Sequence, residues 1–223
     1  PRRRLILNRN LEEVLTVHVL IVFDHPYGAS ASTNVPHHRS LSAALLSAAM
    51  SGLEAAGHSA DLIDLSADRF DPVLTEGGLR DWRLGTTSDP HVLDYQRRLA
   101  AADHLVFIHP TWWMAMPAAT KGFLDKVLTP GFAYTEPRPG GPLRRQLMRL
   151  GGVTVLTPMT TPATVYGLWF AKPSQRILFR GTFALIGIKH LRWFSYGRSA
   201  QRSPASRSRM LARTARYFES LPA

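Results

Sequence analysis

Residue types suited to a flat, apolar ligand are concentrated in residues 109–117, which read His-Pro-Thr-Trp-Trp-Met-Ala-Met-Pro. This segment follows an apolar run, 105–108, typical of a buried parallel strand, and precedes a helical pattern over 118–128. Loops run over the surface and are usually polar. An aromatic, proline-stiffened loop at the end of a strand therefore predicts one wall of a ligand site. The alternative interpretation is that the tryptophans fill a core or a subunit interface.

A second group of residues, in the loop 24–40, could hold an anion. Ser40 is suited to cap the helix that begins there, and Arg39 and Ser42 adjoin it. A helix N-terminus with small hydroxyls binds phosphate well. The loop has neither Gly-Lys-Ser/Thr nor the dinucleotide glycine pattern, so an ordinary capped helix is the alternative.

The same loop contains three histidines, and threonines follow the fourth predicted strand. A metal ion needs a complete ligand set at about 2 Å, and no partner set accompanies His25, His37 and His38. We therefore expect a histidine beside phosphate rather than a metal. The threonine-rich segment 157–166 offers hydroxyls to the same region, and Tyr166 could donate a proton or face a substrate.

The chemistry of hydrolases is not visible in this sequence. It contains no Gly-x-Ser-x-Gly nucleophile motif and no evident pair of catalytic carboxylates. Hydride or electron transfer through a bound cofactor requires few protein side chains. A flat, mostly apolar flavin ring, held by the backbone of 109–117, is consistent with that shortage.

The pattern of elements predicts how these segments meet. Strands alternate with helices, which predicts a parallel sheet covered on both faces. Ligands of such sheets bind outside the carboxyl ends of the strands, where the loops 24–40, 109–117 and 157–166 converge. We predict an extension, 1–15, and one domain, 16–223. The predicted strands are 16–23, 58–65, 103–108, 151–157 and 189–196, and the predicted helices are 39–56, 91–101, 118–128, 173–184 and 204–221.

Composition narrows the class of protein. The 223 residues suit a single domain and include no cysteine, which excludes disulfides and thiol catalysis. No apolar run approaches the roughly 18 residues of a membrane span. The apolar stretch after the first arginines is too short for a signal peptide. We expect a soluble, cytoplasmic protein without membrane insertion.

The net charge of +11 comes mainly from arginine, which clusters at 2–9 and at 192–216. Such clusters could bind nucleic acid or an acidic partner. They could also be a solvated arm and the outer face of the last helix, which we favour because no basic motif interleaved with aromatic residues is present. A positive surface could still steer an anionic cofactor or NADPH.

One long segment carries a resemblance to a known family. Residues 110–134 read Pro-Thr-Trp-Trp-Met-Ala-Met-Pro-Ala-Ala-Thr-Lys-Gly-Phe-Leu-Asp-Lys-Val-Leu-Thr-Pro-Gly-Phe-Ala-Tyr. They closely resemble the third-strand segment of the flavodoxin-like NAD(P)H:quinone oxidoreductases, which include the modulator-of-drug-activity and potassium-efflux ancillary types. The general resemblance covers about residues 16–196. It implies an α/β fold, a flavodoxin-like three-layer α/β/α sandwich with a five-stranded parallel sheet in the order 2-1-3-4-5. It also implies a homodimer that binds FAD, or alternatively FMN, and uses NAD(P)H as co-substrate.

The resemblance also implies roles for individual residues. Thr157 would lie on the pyrimidine side of the flavin, Tyr166 would be the active-site tyrosine, and Phe132 and Tyr134 would overhang the partner's flavin and contact its substrate. The isoalloxazine would lie against Pro110, Thr111, Trp112, Trp113 and Met114, and the phosphates would be held by His25, Arg39, Ser40, Leu41 and Ser42.

The chain departs from the family pattern at several positions. Residues 29–38 lengthen the first loop, Thr157-Pro-Met replaces Thr-Gly-Gly, and no histidine follows Tyr166 as in the animal enzymes. Glu136 stands where a second tyrosine is frequent. The acceptor therefore stays open among quinones, azo dyes, nitroaromatics and free flavins.

These observations predict a flavin-dependent NAD(P)H oxidoreductase that works by a ping-pong mechanism, with hydride passing through the flavin to an aromatic acceptor. One alternative is a flavin-binding regulatory subunit of a larger partner, such as a potassium-efflux system, docked through the basic tail. Nucleic-acid binding through the arginine clusters is a third hypothesis, and we expect no nucleic-acid partner.

Overall fold

The computed structural model describes residues 16–32 and 40–222, and its centre is a parallel five-stranded sheet. The order of strands across the sheet is β2-β1-β3-β6-β7, and β4 and β5 form a separate antiparallel pair. With that pair left out of the count, this is the predicted order 2-1-3-4-5, and the predicted fold class is confirmed. The strands are β1 (His18–Phe23), β2 (Ser59–Asp64), β3 (His104–Ile108), β4 (Tyr134–Thr135), β5 (Arg144–Arg145), β6 (Gly152–Pro158) and β7 (His190–Tyr196).

The three central strands are almost wholly buried, which explains their sequences. In β1 and β3 only the first residue is partly exposed, and every residue of β6 is buried. Strands covered on both faces lose the alternation of polar and apolar residues. The edge strands β2 and β7 are mostly half-exposed and contain Asp61 and Arg192.

Helices cover both faces of the sheet. One layer is α1 and α7, and the other contains α3, α4 and a π-helical stretch, Arg176–Phe183, that continues α6. The helices are α1 (Leu41–Ala55), α2 (Glu76–Arg83), α3 (Pro90–Ala101), α4 (Ala118–Val127), α5 (Ala163–Leu168), α6 (Pro173–Gln175) and α7 (Pro204–Glu219). No helix within 16–32 and 40–222 is long and apolar enough to cross a bilayer.

The contact between α1 and α7 depends on a residue without a side chain. A Cβ atom on Gly52 would lie 2.1 Å from the carbonyl oxygen of Ala215, well inside van der Waals contact. The two helix backbones therefore approach at a distance that only glycine permits. This contact fixes the C-terminal part of α1 against α7.

Three elements differ from the predictions. Residues 68–90 lie outside every predicted strand and helix but contain α2, whose Gly77-Gly78 pair is typical of a turn. The segment 157–166 contains the start of the short helix α5, not only a loop. Most of the predicted helix 173–184 is π-helical, with hydrogen bonds such as Ala184 N–H to the Phe179 carbonyl.

Candidate functional site

The loops that follow β1, β3, β6 and β7 meet at the edge of the sheet where the parallel strands end, which we call the carboxyl edge. Backbone hydrogen bonds extend the ladder beyond the strands: Asp24 N–H donates to the Ile108 carbonyl at 3.0 Å, and Thr111 N–H to the Pro158 carbonyl at 2.9 Å. Ser199 N–H donates to the Met159 carbonyl at 3.0 Å. The predicted convergence of loops is therefore present, and it includes the loop after β7.

The start of α1 has the features of an anion site. Ser40 is the predicted N-cap, and its Oγ accepts the Ala43 N–H at 3.2 Å. Leu41 begins the helix, so its N–H belongs to the first turn, which has no acceptor within the helix. Ser42 is buried, and its Oγ has no partner among the described residues. A buried hydroxyl without a partner beside free N–H groups suits a phosphate group. Arg39, His37 and His38 lie outside the described residues.

His25, in the loop between β1 and α1, is half-buried. Burial lowers the pKa of its imidazole, although the charges of Asp24 and Asp64 oppose that change. Its Nδ1 accepts the Tyr27 N–H at 3.2 Å, so the neutral ring carries its hydrogen on Nε2. That nitrogen is then a hydrogen-bond donor suited to an anion. Within the described ranges, no three His, Asp or Glu side chains are arranged to hold a metal ion.

The aromatic loop contains a strained turn. Trp112 and Ala115 exchange both backbone hydrogen bonds, at 2.9 and 2.8 Å, and the two central residues have φ of 46° (Trp113) and 63° (Met114). This is a type I′ geometry, which normally requires Asn or Gly. Positive φ at two large residues costs energy, and such strain is characteristic of functional sites.

This turn presents its aromatic side chains to solvent. Trp113 is 97% exposed and Trp112 56% exposed. Within the part of the chain that is described, the N–H groups of Trp113 and Met114 donate no hydrogen bond. The turn therefore combines apolar surface with free donors, as a flat ring with polar edges requires.

A pair of hydroxyls lies beside the turn. Thr111 Oγ1 and Thr157 Oγ1 are 2.8 Å apart and share one hydrogen bond. Thr157 is fully buried, whereas Thr111 is partly exposed, so a hydrogen on Thr111 can point to a ligand. Pro110 and Pro158, at the neighbouring strand ends, have no N–H to offer. The hydroxyl of Thr111 is therefore a polar group that this pair can offer to a ligand at the carboxyl edge.

The predictions missed two buried residues that shape this edge. Asp24 accepts the N–H and the hydroxyl of Thr120, at 2.8 and 2.7 Å, and so ties the end of β1 to the first turn of α4. His109 is fully buried; Nδ1 donates to the Pro110 carbonyl at 3.0 Å, and Nε2 has no partner among the described residues. Burial lowers the pKa of His109, which keeps the ring neutral. A carboxylate or imidazole directly after an apolar strand was the signal that could have indicated both.

Tyr166 lies in α5 and is buried rather than open to the carboxyl edge. Its hydroxyl has no well-oriented hydrogen-bond partner among the described residues. Burial raises the pKa of this hydroxyl, and the nearby N–H groups of Ser174 and Gln175 offset part of the rise. Ser174 Oγ is likewise buried without a partner. The catalytic role of Tyr166 stays a prediction, and contact with a substrate would require α5 to move.

Phe132 and Tyr134 do not reach the carboxyl edge of their own chain. They follow the far end of α4, whose 10 residues span about 15 Å. Tyr134 instead lines an apolar cleft of about 450 Å³ with Trp82, Leu143, Ile177 and Leu185. A more polar cleft of about 220 Å³, between α2, α3 and α4, contains none of the predicted site residues.

Comparisons with known proteins agree with this geometry. A family model described as having the flavodoxin-like fold matches residues 17–219. The ribosyldihydronicotinamide dehydrogenase-like protein traD of Penicillium crustosum is 34% identical over 131 residues, which are 52% of this chain and 45% of that protein. The chain thus spans about half the length of this curated relative.

Solved structures are similar over almost the whole chain. The NAD(P)H:quinone oxidoreductase from Methanothermobacter marburgensis is 26% identical, with a TM-score of 0.78 over 93% of this chain and 100% of that one. An FMN-dependent NADH-azoreductase from Bacillus anthracis, solved in complex with FMN, is 16% identical, with a TM-score of 0.69 over 91% of this chain and 98% of that one. At that identity the second similarity concerns the fold alone.

Proposed function

Because this chain belongs to the family with the flavodoxin-like fold, we propose that it is a flavin-dependent oxidoreductase that passes hydride from NAD(P)H to a quinone or similar aromatic acceptor. The resemblance to the flavodoxin-like NAD(P)H:quinone oxidoreductases is confirmed by the relatives that match. The activity itself is our inference from the site.

One observation carries the proposal: two buried polar atoms without partners lie at the carboxyl edge. Among the described residues, the buried side-chain atoms without a partner include Ser42 Oγ and His109 Nε2, and both of these lie at this edge. Buried polar groups are nearly always hydrogen-bonded, so each exception needs an explanation. A polar cofactor bound at this edge supplies one for Ser42, which lies at the start of α1.

The residues present fit a flavin mononucleotide moiety. The first turn of α1, Ser42 and His25 would hold the phosphate, with Arg39 beside them as the sequence predicts. The turn 112–115 would place aromatic surface and two free N–H groups against the ring. Thr111 and Thr157 would meet its pyrimidine side.

The choice between FMN and FAD depends on a comparison with a solved structure. FMN is bound in the azoreductase relative, so we place FMN ahead of FAD, which the sequence resemblance had put first. Flavin chemistry supplies reversible acceptance of hydride, which allows donor and acceptor to use one pocket in turn. The contribution of this chain is to orient the reactants at the strained turn, since proximity lowers the barrier most when both rings are held in place.

We also propose that the enzyme is a homodimer. Tyr134 and the exposed Leu185 line an apolar cleft away from the carboxyl edge of their own chain. A second copy related by a two-fold axis would cover this cleft and bring Tyr134 toward the flavin of its partner. Such a partner would also shield the exposed tryptophans of the turn from water.

The first experiment is to purify the protein and test it for flavin. We expect a yellow protein that absorbs at about 450 nm and releases FMN on heating. We also expect it to oxidise NAD(P)H with a soluble quinone and without a partner protein. Turnover without a partner would exclude the regulatory-subunit alternative. A colourless protein that takes up neither FMN nor FAD would contradict the proposal.

Three variants locate the cofactor. Ser42→Ala should weaken flavin binding about tenfold, because a hydrogen bond to a charged group is lost, whereas Ser47→Ala, exposed on the same helix, should leave it unchanged. In Trp113→Asn the new asparagine tolerates the positive φ of this position. Because the aromatic surface is lost, this variant should also bind flavin more weakly. Fluorescence titration measures each affinity, and melting temperatures check that the fold is intact. Equal affinities of the Ser42 and Ser47 variants would place the phosphate elsewhere.

A further inference from the structure

The charges of this chain are segregated along the sequence. Between Glu136 and Glu219 there is no Asp or Glu, whereas the same stretch contains 15 Arg and Lys residues. This stretch forms β5, β6, α5, α6, β7 and α7, which is the half of the molecule around the β6–β7 edge of the sheet. That half is therefore rich in cations, and among its described residues only Arg149 forms an ion pair, with Asp103 at 2.8 Å.

Two of these cations flank α5 at the carboxyl edge. Arg198 N–H donates to the Thr161 carbonyl at 3.4 Å, which places Arg198 near the start of α5. The Lys172 side chain passes over Gly167, where a Cβ atom would lie 3.5 Å from Lys172 Cε. The six residues of α5 span about 9 Å. Both cations therefore border one short segment of the edge.

Both residues are held in an unusual backbone conformation and both are exposed. Arg198 has φ of 54° and Lys172 has φ of 55°, in the left-handed region that large residues seldom adopt. Neither side chain makes an ion pair within the described residues. The carboxylate at the end of β1, Asp24, is buried and bonded to Thr120. The exposed charge beside α5 is thus positive and free to meet an anion.

We propose, on the basis of the proposed function, that Arg198 and Lys172 recognise the 2′-phosphate of NADPH and make NADPH the preferred hydride donor. NADH is identical except for this dianionic group. Two cations beside the pocket attract it both on approach and in the complex. The neutral edge of the aromatic turn, by contrast, cannot distinguish the two donors.

The experiment compares kcat/KM for NADPH and NADH with one neutral quinone as acceptor. Arg198→Asn and Lys172→Asn remove the charges while Asn tolerates the left-handed conformation. Arg198→Lys keeps the charge. Arg216→Gln is the matched control, because it removes an exposed arginine near the C-terminal end of α7. An anionic quinone, tested with NADH, shows whether the cations act on the acceptor instead.

We expect the wild type to favour NADPH at least tenfold, as for hydrogen bonds to charged groups. Either Asn variant should reduce this preference about tenfold, and added salt should reduce it as well, while Arg198→Lys and Arg216→Gln retain it. Three results would overturn the inference and leave the proposed function standing. They are equal use of NADPH and NADH by the wild type, an unchanged preference for NADPH in both Asn variants, and an effect of the variants confined to the anionic quinone.

Direct binding separates this inference from the proposed function. Calorimetric titration with NADP⁺ and NAD⁺ requires no turnover and no flavin reduction. Tighter binding of NADP⁺ that is lost in Arg198→Asn supports the phosphate site even if no quinone is reduced. Equal binding of the two nucleotides overturns it.

Discussion

Buried polar side chains of this protein fall into two groups at opposite edges of the sheet. At the amino edge they are partnered: His104 Nε2 hydrogen-bonds Thr154 Oγ1 at 2.9 Å, and Thr154 hydrogen-bonds the Tyr217 hydroxyl at 2.9 Å. At the carboxyl edge, Ser42 and His109 have atoms without partners among the described residues. The amino edge is therefore structural, and the carboxyl edge retains the unsatisfied groups that a ligand can use.

His104 gives a prediction for the pH dependence of stability. Burial and the charge of His190 lower its pKa from 6.5 to about 4. The unfolded chain therefore binds this proton at higher pH than the folded one. The neutral His104 ring contributes at most about 3 kcal/mol to the free energy of unfolding. This contribution is fully present above about pH 6.5 and is lost as the pH falls toward 4.

Urea unfolding between pH 7.5 and 4.5 measures this effect. We expect His104→Gln to show a smaller loss of unfolding free energy on acidification than the wild type, because the amide can still reach Thr154 but takes up no proton. Part of the loss should persist, since burial also lowers the pKa of His109. His91→Gln, on α3, is the control and should follow the wild type. Parallel curves for His104→Gln and the wild type would contradict the assignment.

At the scale of elements, the layers are held by close backbone approaches that side-chain periodicity does not show. Gly52 in α1 faces the Ala215 carbonyl of α7, and Gly122 in α4 faces Pro72. In each case a Cβ atom would lie within 2.5 Å of another residue. Glycine at these positions lets α1 pack closely on α7 and lets α4 pack closely on the segment that contains Pro72.

Replacing Gly52 tests this packing. Gly52→Ala should destabilise the protein by about 1–3 kcal/mol, because overpacking outweighs the better helix propensity of alanine. Gly77→Ala is the matched control: it also lies in a helix, its Cβ would meet nothing closer than 4.0 Å, and it should stabilise by about 0.5–1 kcal/mol. Urea unfolding measures both changes. A stabilised Gly52→Ala variant would show that α1 and α7 lie further apart.

At the scale of the whole molecule, the exposed apolar cleft lined by Tyr134 and Leu185 predicts association of two chains. Leu185 is 58% exposed and Leu93, on α3 outside the cleft, is 52% exposed. A buried, unpaired charge strongly opposes association. We therefore expect Leu185→Glu to shift sedimentation from two chains toward one and to lower turnover, while Leu93→Glu changes neither. A wild type that sediments as one chain at every concentration would exclude the dimer.

The sequence predicted the fold better than the site. Residues 105–108 and 152–156 are apolar without alternation, so burial on both faces could be predicted from composition alone. The helix α2 could not be predicted, because its Gly77-Gly78 pair is typical of a turn. The π-helical hydrogen bonds after α6 depend on how Leu178 and Phe183 pack, which no local pattern encodes.

For the candidate site, the sequence predicted which loops meet at the carboxyl edge but not the geometry within them. The aromatic loop and the Ser40 cap were predicted, and their positions at the carboxyl edge agree with the structure. The positive φ of Trp113 and Met114 was not predictable, since those residue types disfavour it and only the surrounding fold imposes it. The burial of Tyr166 likewise follows from the placement of α5 against the start of α6.

By itself, the sequence determined which loops share the carboxyl edge, because the order of strands and helices decides where each loop lies. It also determined the segregation of charge, since a stretch without Asp or Glu remains cationic in any fold. Only the tertiary structure decided that Arg198 and Lys172 flank α5, that Ser42 lacks a partner, and that Tyr134 points away from its own carboxyl edge. These facts depend on distances between residues far apart in the chain, which packing sets and local sequence does not.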